Sequence, residues 1–279
     1  MFGKTIDWNE VWKKQMTKHI ESNGNVDCAR FFGEKDIVKQ YSKITQKHQN
    51  ERAEETIRGI IITEKSRVID VGAGPGVLSL PLAQKVAHVT AVDPSREMIG
   101  ALRSKIKDNG LPNIACVEKR WEDVDIKTDI NPPYDVVIAS LSLGMADIGE
   151  SIKKMMDVCS KYIYLYWLAG EPSWEVHYSA IWPSLHGIPY HTTPKCDVLF
   201  NVLYQMGVYP NVEVFPYRYY KRFPSIEEAV DHFSPRFLIT KDRQKSLLRD
   251  YLKRILEIKE GLLLLLSSAT CMKIWWGIN

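Results

Sequence analysis

Val68-Ile-Asp-Val-Gly-Ala-Gly-Pro-Gly-Val-Leu-Ser-Leu-Pro-Leu82 reads in three pieces. An apolar run that ends in Asp70 and Val71 predicts a buried strand. Glycines follow at 72, 74 and 76, and then an apolar segment able to form a helix. Glycines at a strand-to-helix turn let the backbone approach a ligand closely, and the helix beyond offers unpaired N–H groups. Asp70, two residues before the first glycine, narrows the choice of ligand. A carboxylate there repels a dinucleotide pyrophosphate and attracts an ammonium group. The glycines alone also fit a turn with no ligand, so a second signal is needed.

The next segment supplies it. Val86-Ala-His-Val-Thr-Ala-Val-Asp93 is rich in β-branched residues, predicts a second strand and ends in an acid. Asp93 follows Gly76 by 17 residues, near the spacing at which a nucleotide-binding βαβ unit places its ribose-binding acid. An acid at that strand end accepts hydrogen bonds from both ribose hydroxyls. The competing reading makes Asp93 a helix cap, because Pro94 and Ser95 precede a helical pattern of Met98, Ile99, Leu102 and Ile106.

The D-x-G-x-G-x-G pattern of residues 70–76 resembles motif I of the class I S-adenosylmethionine (SAM)-dependent methyltransferases. SAM carries an ammonium and a sulfonium, which agrees with the charge of Asp70. The resemblance implies SAM as cofactor and S-adenosylhomocysteine (SAH) as product. It places Asp70, Gly72, Ala73, Gly74, Gly76, Asp93, Pro94 and Met98 at the cofactor. In many relatives the third strand ends in Gly-Asp-Ala, whose acid accepts from the adenine amino group. Here Lys119, Arg120 and Trp121 stand at those positions and Glu122 and Asp123 follow. Trp121 is then expected beside the adenine, with Glu122 or Asp123 reaching its amino group. The end of the fourth strand, Ser140-Leu141-Ser142, looks like the small-molecule branch of the family, and Ser140 and Leu141 complete the expected cofactor set.

The rhythm after Arg67 alternates strand and helix, which predicts parallel βαβ units. Strands are expected over 67–71, 86–93, 113–119, 134–140 and 161–167, with helices at 95–108 and 149–160. Later come a helix at 196–207, a strand at 212–222, helices at 225–234 and 241–260, and a last strand near 267–276. The layout resembles the methyltransferase α/β fold, a three-layer sandwich around a mostly parallel seven-stranded sheet whose last strand is antiparallel. Residues 1–65 read as an N-terminal helical cap, in which Ile37, Val38, Tyr41 and Ile44 share one face and Ala53, Ile57 and Ile60 continue it later. Residues 66–279 read as the SAM-binding domain.

Residues 170–195 break the rhythm. Four prolines (172, 183, 189 and 194) argue against a regular helix, and Trp174, Trp182 and three histidines argue against a solvated linker. The segment is expected to be a lid inserted after the fifth strand, with Trp182, His186 and Tyr190 at the methyl acceptor. His186, His191 and Cys196 match no common zinc spacing, so no metal is expected.

Asn131-Pro-Pro-Tyr134 matches the (D/N)-P-P-(Y/F) motif of methyltransferases that act on nucleobase amines or glutamine amides. That chemistry needs the motif after the fourth strand, and here it precedes Tyr134-Asp-Val-Val-Ile-Ala-Ser140. It is read as a turn.

With 279 residues, 45% apolar and 25% charged, the composition is that of an ordinary globular chain. A net charge of +3 makes no case for nucleic acid. The basic residues between Arg218 and Lys259 are interleaved with acids and predict a solvated helix face. Five scattered cysteines, with no C-x-x-C pair, fit reduced thiols of an intracellular protein. The opening residues lack the apolar core of a secretion signal. Leu262 to Leu266 is too short to span a bilayer. The expected compartment is the cytosol.

The sequence thus predicts a SAM-dependent methyltransferase acting on a small or medium-sized molecule, with no catalytic base identified. An RNA-modifying methyltransferase and a nicotinamide-dependent oxidoreductase are the alternatives. Asp70 and the G-x-G-x-G spacing oppose the second.

Overall fold

Short runs of Val, Ile and Ala become central strands in the computed structural model, which describes residues 6–24 and 53–278. β1 (Arg67–Val71), β2 (His88–Val92), β3 (Ile114–Val117), β4 (Tyr134–Ser140) and β5 (Cys159–Leu168) are parallel. β1, β2 and β4 are buried on both faces, which is why their sequences do not alternate in polarity. The strand order is β3-β2-β1-β4-β5-β8-β6, where β6 is Asn211–Phe223 and β8 is Leu262–Gly277. β8, the last strand, is antiparallel to both neighbours. The seven-stranded layout expected from sequence is present, with one addition. β7 (Glu257–Lys259) pairs with β8 alone and takes the end of the helix expected over 241–260. Glu260 and Gly261 both have positive φ and reverse the chain into β8, which therefore starts earlier than expected.

Helices flank the sheet, among them α1 (Trp8–Ser22), α2 (Ser79–Ala83), α3 (Arg96–Asn109), α4 (Ile148–Val158), α5 (Ser173–His186), α6 (Cys196–Gln205), α7 (Ile226–Phe233) and α8 (Asp242–Ile255). Side-chain parity along the strands sorts the two helical layers. Ile69, Val71, Val137, Ala139, Ile163 and Leu165 face one side and pack with α1, α4 and α6. Val68, Val136, Ile138, Tyr164 and Tyr166 face the other and pack with α2 and with Ala53, Ile57 and Ile60. Trp12 of α1 is wholly buried and donates from Nε1 to the Met145 carbonyl at 2.9 Å. Ile37, Val38, Tyr41, Ile44 and Cys28 lie outside the described residues. The other four cysteines are free thiols.

β6 and β8 run on beyond the carboxyl end of β5. Leu168, the last residue of β5, pairs with Cys271, whereas β6 and β8 stay paired as far as Phe223 and Leu263. This two-stranded ribbon carries a third core, in which α5, α7 and α8 cover Phe223 and Leu265.

Residues 170–195 correct the expectation of an irregular lid. Residues 173–186 form α5, because three of the four prolines fall outside the helix: Pro172 is its N-cap, and Pro189 and Pro194 follow Gly187. Pro183 sits in the last turn, where it removes one N–H and leaves the preceding turns intact. The segment is also pinned. Glu175 accepts from the Thr193 hydroxyl at 2.8 Å and pairs with Lys195 at 2.5 Å, while Trp182 Nε1 donates to the Ser22 carbonyl at 3.1 Å. None of the described helices is long and apolar enough to cross a membrane.

Candidate active site

The turn after β1 is shaped by contacts that only glycine permits. The Gly72 and Ala73 amides donate to the Val92 carbonyl at 2.8 and 3.0 Å, folding the turn back over β2. Gly72 has φ of +77°, and a Cβ there would stand 2.2 Å from Cβ of Ser142. Ser142 is fixed in turn, donating from Oγ to the Val71 carbonyl at 2.6 Å. Gly74, with φ of +54°, differs: a Cβ there meets nothing within 4 Å. That open space belongs to a cavity of about 250 Å³ at the carboxyl ends of β1, β2 and β4.

Asp93 closes one side of this cavity. Its Oδ2 accepts the Gly74 amide at 2.8 Å, and its Oδ1 accepts the Ser95 amide at 2.9 Å. Burial raises its carboxyl above the ordinary range, and the two amides only partly offset that. Asp93 is not the helix cap. Ser95 is, accepting the Met98 amide at 3.1 Å. Asp70 is almost wholly buried and accepts from the Ser79 hydroxyl at 2.6 Å, tying the end of β1 to α2.

Ala73, Pro94, Met98, Trp121, Glu122, Ser140 and Leu141 join Asp70, Gly72, Gly74 and Asp93 around the cavity. Gly76 does not line it. A Cβ at Gly76 would stand 2.4 Å from Leu102 Cδ1, so this glycine lets α3 pack closely against the turn. Trp121 is buried and donates from Nε1 to the Ser151 carbonyl at 3.0 Å. Lys154 locks the same turn by donating to the carbonyls of Trp121, Glu122 and Val124. Asp123 lies outside the lining, which leaves Glu122 as the acid at this end.

Residues 68–161 match the methyltransferase domain family. These residues carry a methyltransferase domain, in keeping with the resemblance of residues 70–76 to the class I SAM-dependent methyltransferases. A Haemophilus influenzae protein of uncharacterized function is 29% identical over 160 residues, covering 57% of each chain. The ribosomal RNA small subunit methyltransferase G of Yersinia enterocolitica is 38% identical over 85 residues, covering 30% of this chain and 39% of that one. A ubiquinone biosynthesis O-methyltransferase of Rhizobium leguminosarum is 30% identical over 100 residues, covering 36% and 37%. The chain therefore spans less than two thirds of the length of each of these relatives. In fold it is similar to the YcgJ protein of Bacillus subtilis (TM-score 0.57, 14% identity, 83% of this chain and 98% of that one). It is also similar to a SAM-dependent methyltransferase of Aquifex aeolicus (TM-score 0.53, 13% identity, 88% and 99%).

The fit of SAM to this cavity is supported by the open space at Gly74 and by the buried Asp70 and Asp93 in its lining. Metal binding has no comparable support: no group of three or more His, Cys, Asp or Glu suited to a metal occurs among the described residues.

A second cavity, of about 170 Å³, shares Leu141 with the first. Leu141 follows β4 with φ of +55°, a conformation that non-glycine residues adopt at a cost of about 1–3 kcal/mol. The surrounding fold holds it there, with its amide donating to the Tyr166 carbonyl at 2.9 Å. The second cavity lies between α5, the β6–β8 ribbon, the residues after α7, and α8. Trp182, His186 and Tyr190, expected at the acceptor, are not in its wall. Trp182 is 1% exposed, and His186 is hydrogen-bonded to the Phe237 carbonyl at 3.0 Å. Tyr190 stacks on Tyr178 at 5.1 Å. The helical turn of α5 accounts for this placement, because Trp174, His177 and Tyr178 occupy the face toward the cavity.

The sequence reading also missed the far wall. Tyr217, Tyr219, Lys221 and Phe223 alternate inward along β6. A lysine in register with buried aromatics was the available signal. It was submerged in the basic stretch read as a solvated face. Much of that stretch is indeed surface, as with Arg249–Glu227 and Lys245–Asp231, but Lys221 and Arg236 line the cavity. The Asn131 motif lies at the opposite end of the sheet. Its carbonyl accepts from the guanidinium of Arg67, the first residue of β1, at 2.5 Å.

Proposed function

We propose that this methyltransferase transfers a methyl group from SAM to a small or medium-sized molecule seated in the second cavity. The observation that carries the reading is the shared wall at Leu141, which sets an aromatic-walled chamber directly beside the cofactor cavity. SAM supplies a methyl group already activated on a sulfonium. The protein's task is to desolvate the acceptor and align it for in-line attack, and positioning of this kind supplies much of the rate. Asp93 would accept from the ribose hydroxyls, and Asp70 would favour the ammonium end. His177 shares a hydrogen bond with the Tyr251 hydroxyl at 2.9 Å in the chamber wall. Burial lowers its pKa first, with Lys221 adding to the effect, so the imidazole stays neutral and able to take a proton from an acceptor hydroxyl.

The test is transfer of radiolabelled methyl from SAM into a fractionated metabolite extract, against structured RNA in parallel. Label in small molecules, lost in Leu141→Trp while SAH still binds, supports the reading. Label in RNA, with a steeply salt-dependent RNA affinity, would replace it with the RNA-modifying alternative.

A further inference from the structure

The second cavity is unusual in charge. Its walls are largely aromatic, including Trp174, Tyr178, Tyr217 and Phe237, yet two basic side chains, Lys221 and Arg236, line it, and its lining contains no Asp or Glu. Lys221 is 7% exposed. No carboxylate pairs with it among the described residues. Its nearest partners are ring faces, with Nζ 5.1 Å from the centre of Phe233 and 6.0 Å from that of Tyr219. A buried ammonium without a counter-ion is costly for a fold to keep, and an anion supplied from outside would offset that cost.

We propose that the second cavity binds an aromatic carboxylate, whose ring lies among the tyrosines and Trp174 and whose carboxylate pairs with Lys221 and Arg236. This rests on the reading of that cavity as the acceptor chamber and names the chemical class of the acceptor. The fit is twofold. Aromatic walls reward a flat, apolar body through stacking and burial. Two cations at one end reward a delocalised anion, which accepts charge-assisted hydrogen bonds from both. Burial and the charge of Arg236 make Lys221 reluctant to hold its proton, and its pKa falls to about 7. A bound carboxylate would restore the charged form.

The experiment uses the full-length protein saturated with SAH and measures benzoate, benzamide and benzylammonium by ligand-observed NMR, with calorimetry of SAH in the same samples. Benzoate should bind at least about tenfold more tightly than its neutral and cationic counterparts, the size expected of a charged hydrogen bond. Lys221→Met should abolish that preference while keeping SAH affinity and raising the unfolding temperature. Equal affinity for benzoate and benzamide, with SAH bound normally, would overturn the proposal and leave the methyltransferase reading intact. Failure to bind SAH would instead count against the cofactor reading. Should Lys221→Met fail to fold, Lys221 is structural and the proposal falls, unless Lys221→Arg folds and keeps the benzoate preference.

Discussion

Asp93 holds the Gly74 amide at 2.8 Å, so the acid after β2 and the glycine after β1 are braced against each other in the wall of the cavity that both line. Asp93→Ala removes both the proposed ribose acceptor and the brace. SAM and SAH affinity should fall by about 1–3 kcal/mol in calorimetry. Burial has raised this carboxyl, so in the folded protein it protonates at a pH above the ordinary carboxylate range. Affinity should therefore drop on acidification through that window. The same raised pKa makes this group's contribution to stability grow, not shrink, as pH falls, so a loss of binding there is not a loss of fold.

The glycines at 72 and 74 should fail differently. Gly72→Ala forces a Cβ toward Ser142 and should cost about 1–3 kcal/mol in stability. Ser142→Gly in the same chain should recover part of it. Gly74→Val meets no neighbour, so the protein should fold while SAH binding disappears. A Gly74→Val protein that binds SAH normally would show that this turn is not the cofactor cradle.

How far the site was legible follows from how local its signals are. Asp70, Gly72, Gly74 and Asp93 fall within 24 residues on a strand–turn–helix–strand unit, whose chemistry is written in short spacing. The parallel strands were likewise visible as apolar runs. The second cavity is assembled from α5, β6, α7 and α8, and only long-range pairing such as Phe223 with Leu263 brings them together. No spacing rule spans that distance. For α5, the proline count misled because it ignored position: only Pro183 falls inside the helix.

Asn131→Ala should leave turnover and SAM affinity within twofold or so of the parent, since its interactions are made by its backbone. Its amide donates to the Tyr134 hydroxyl at 3.2 Å and its carbonyl serves Arg67. A hundredfold loss of turnover with SAM affinity preserved would restore an amine-directed chemistry for the Asn-Pro-Pro-Tyr motif.

Trp182→Ala should behave as a core deletion. The ring is 1% exposed and packs on His186 at 4.3 Å, so the fold should lose about 3–5 kcal/mol in denaturant titration. Trp174→Ala, in the chamber wall, should cost less stability and impair the acceptor more. The reverse ranking would return the acceptor to the far side of α5.

Lys221 gives the protein two opposed pH dependences. Its pKa is about 7 in the folded protein against an ordinary 10.5, so between those values the unfolded chain holds the extra proton. Without ligand, its contribution to stability therefore rises from about pH 7 towards 10.5 and is lost as pH falls through 7. Anion binding needs the charged form, so benzoate affinity should be level below about pH 7 and fall about tenfold per unit above it. The groups facing Lys221 do not reverse the sign. His177 on α5 and His232 on α7 are both pushed toward neutrality, His232 to about 3, and Arg236 is the other basic group in the cavity wall. Tyr251 on α8 is raised above its ordinary value by burial, and Tyr219 on β6 also faces the cavity. Lys221→Met should flatten both curves. A benzoate affinity that rises with pH, or that keeps its profile in Lys221→Met, would remove Lys221 from the anion's partners.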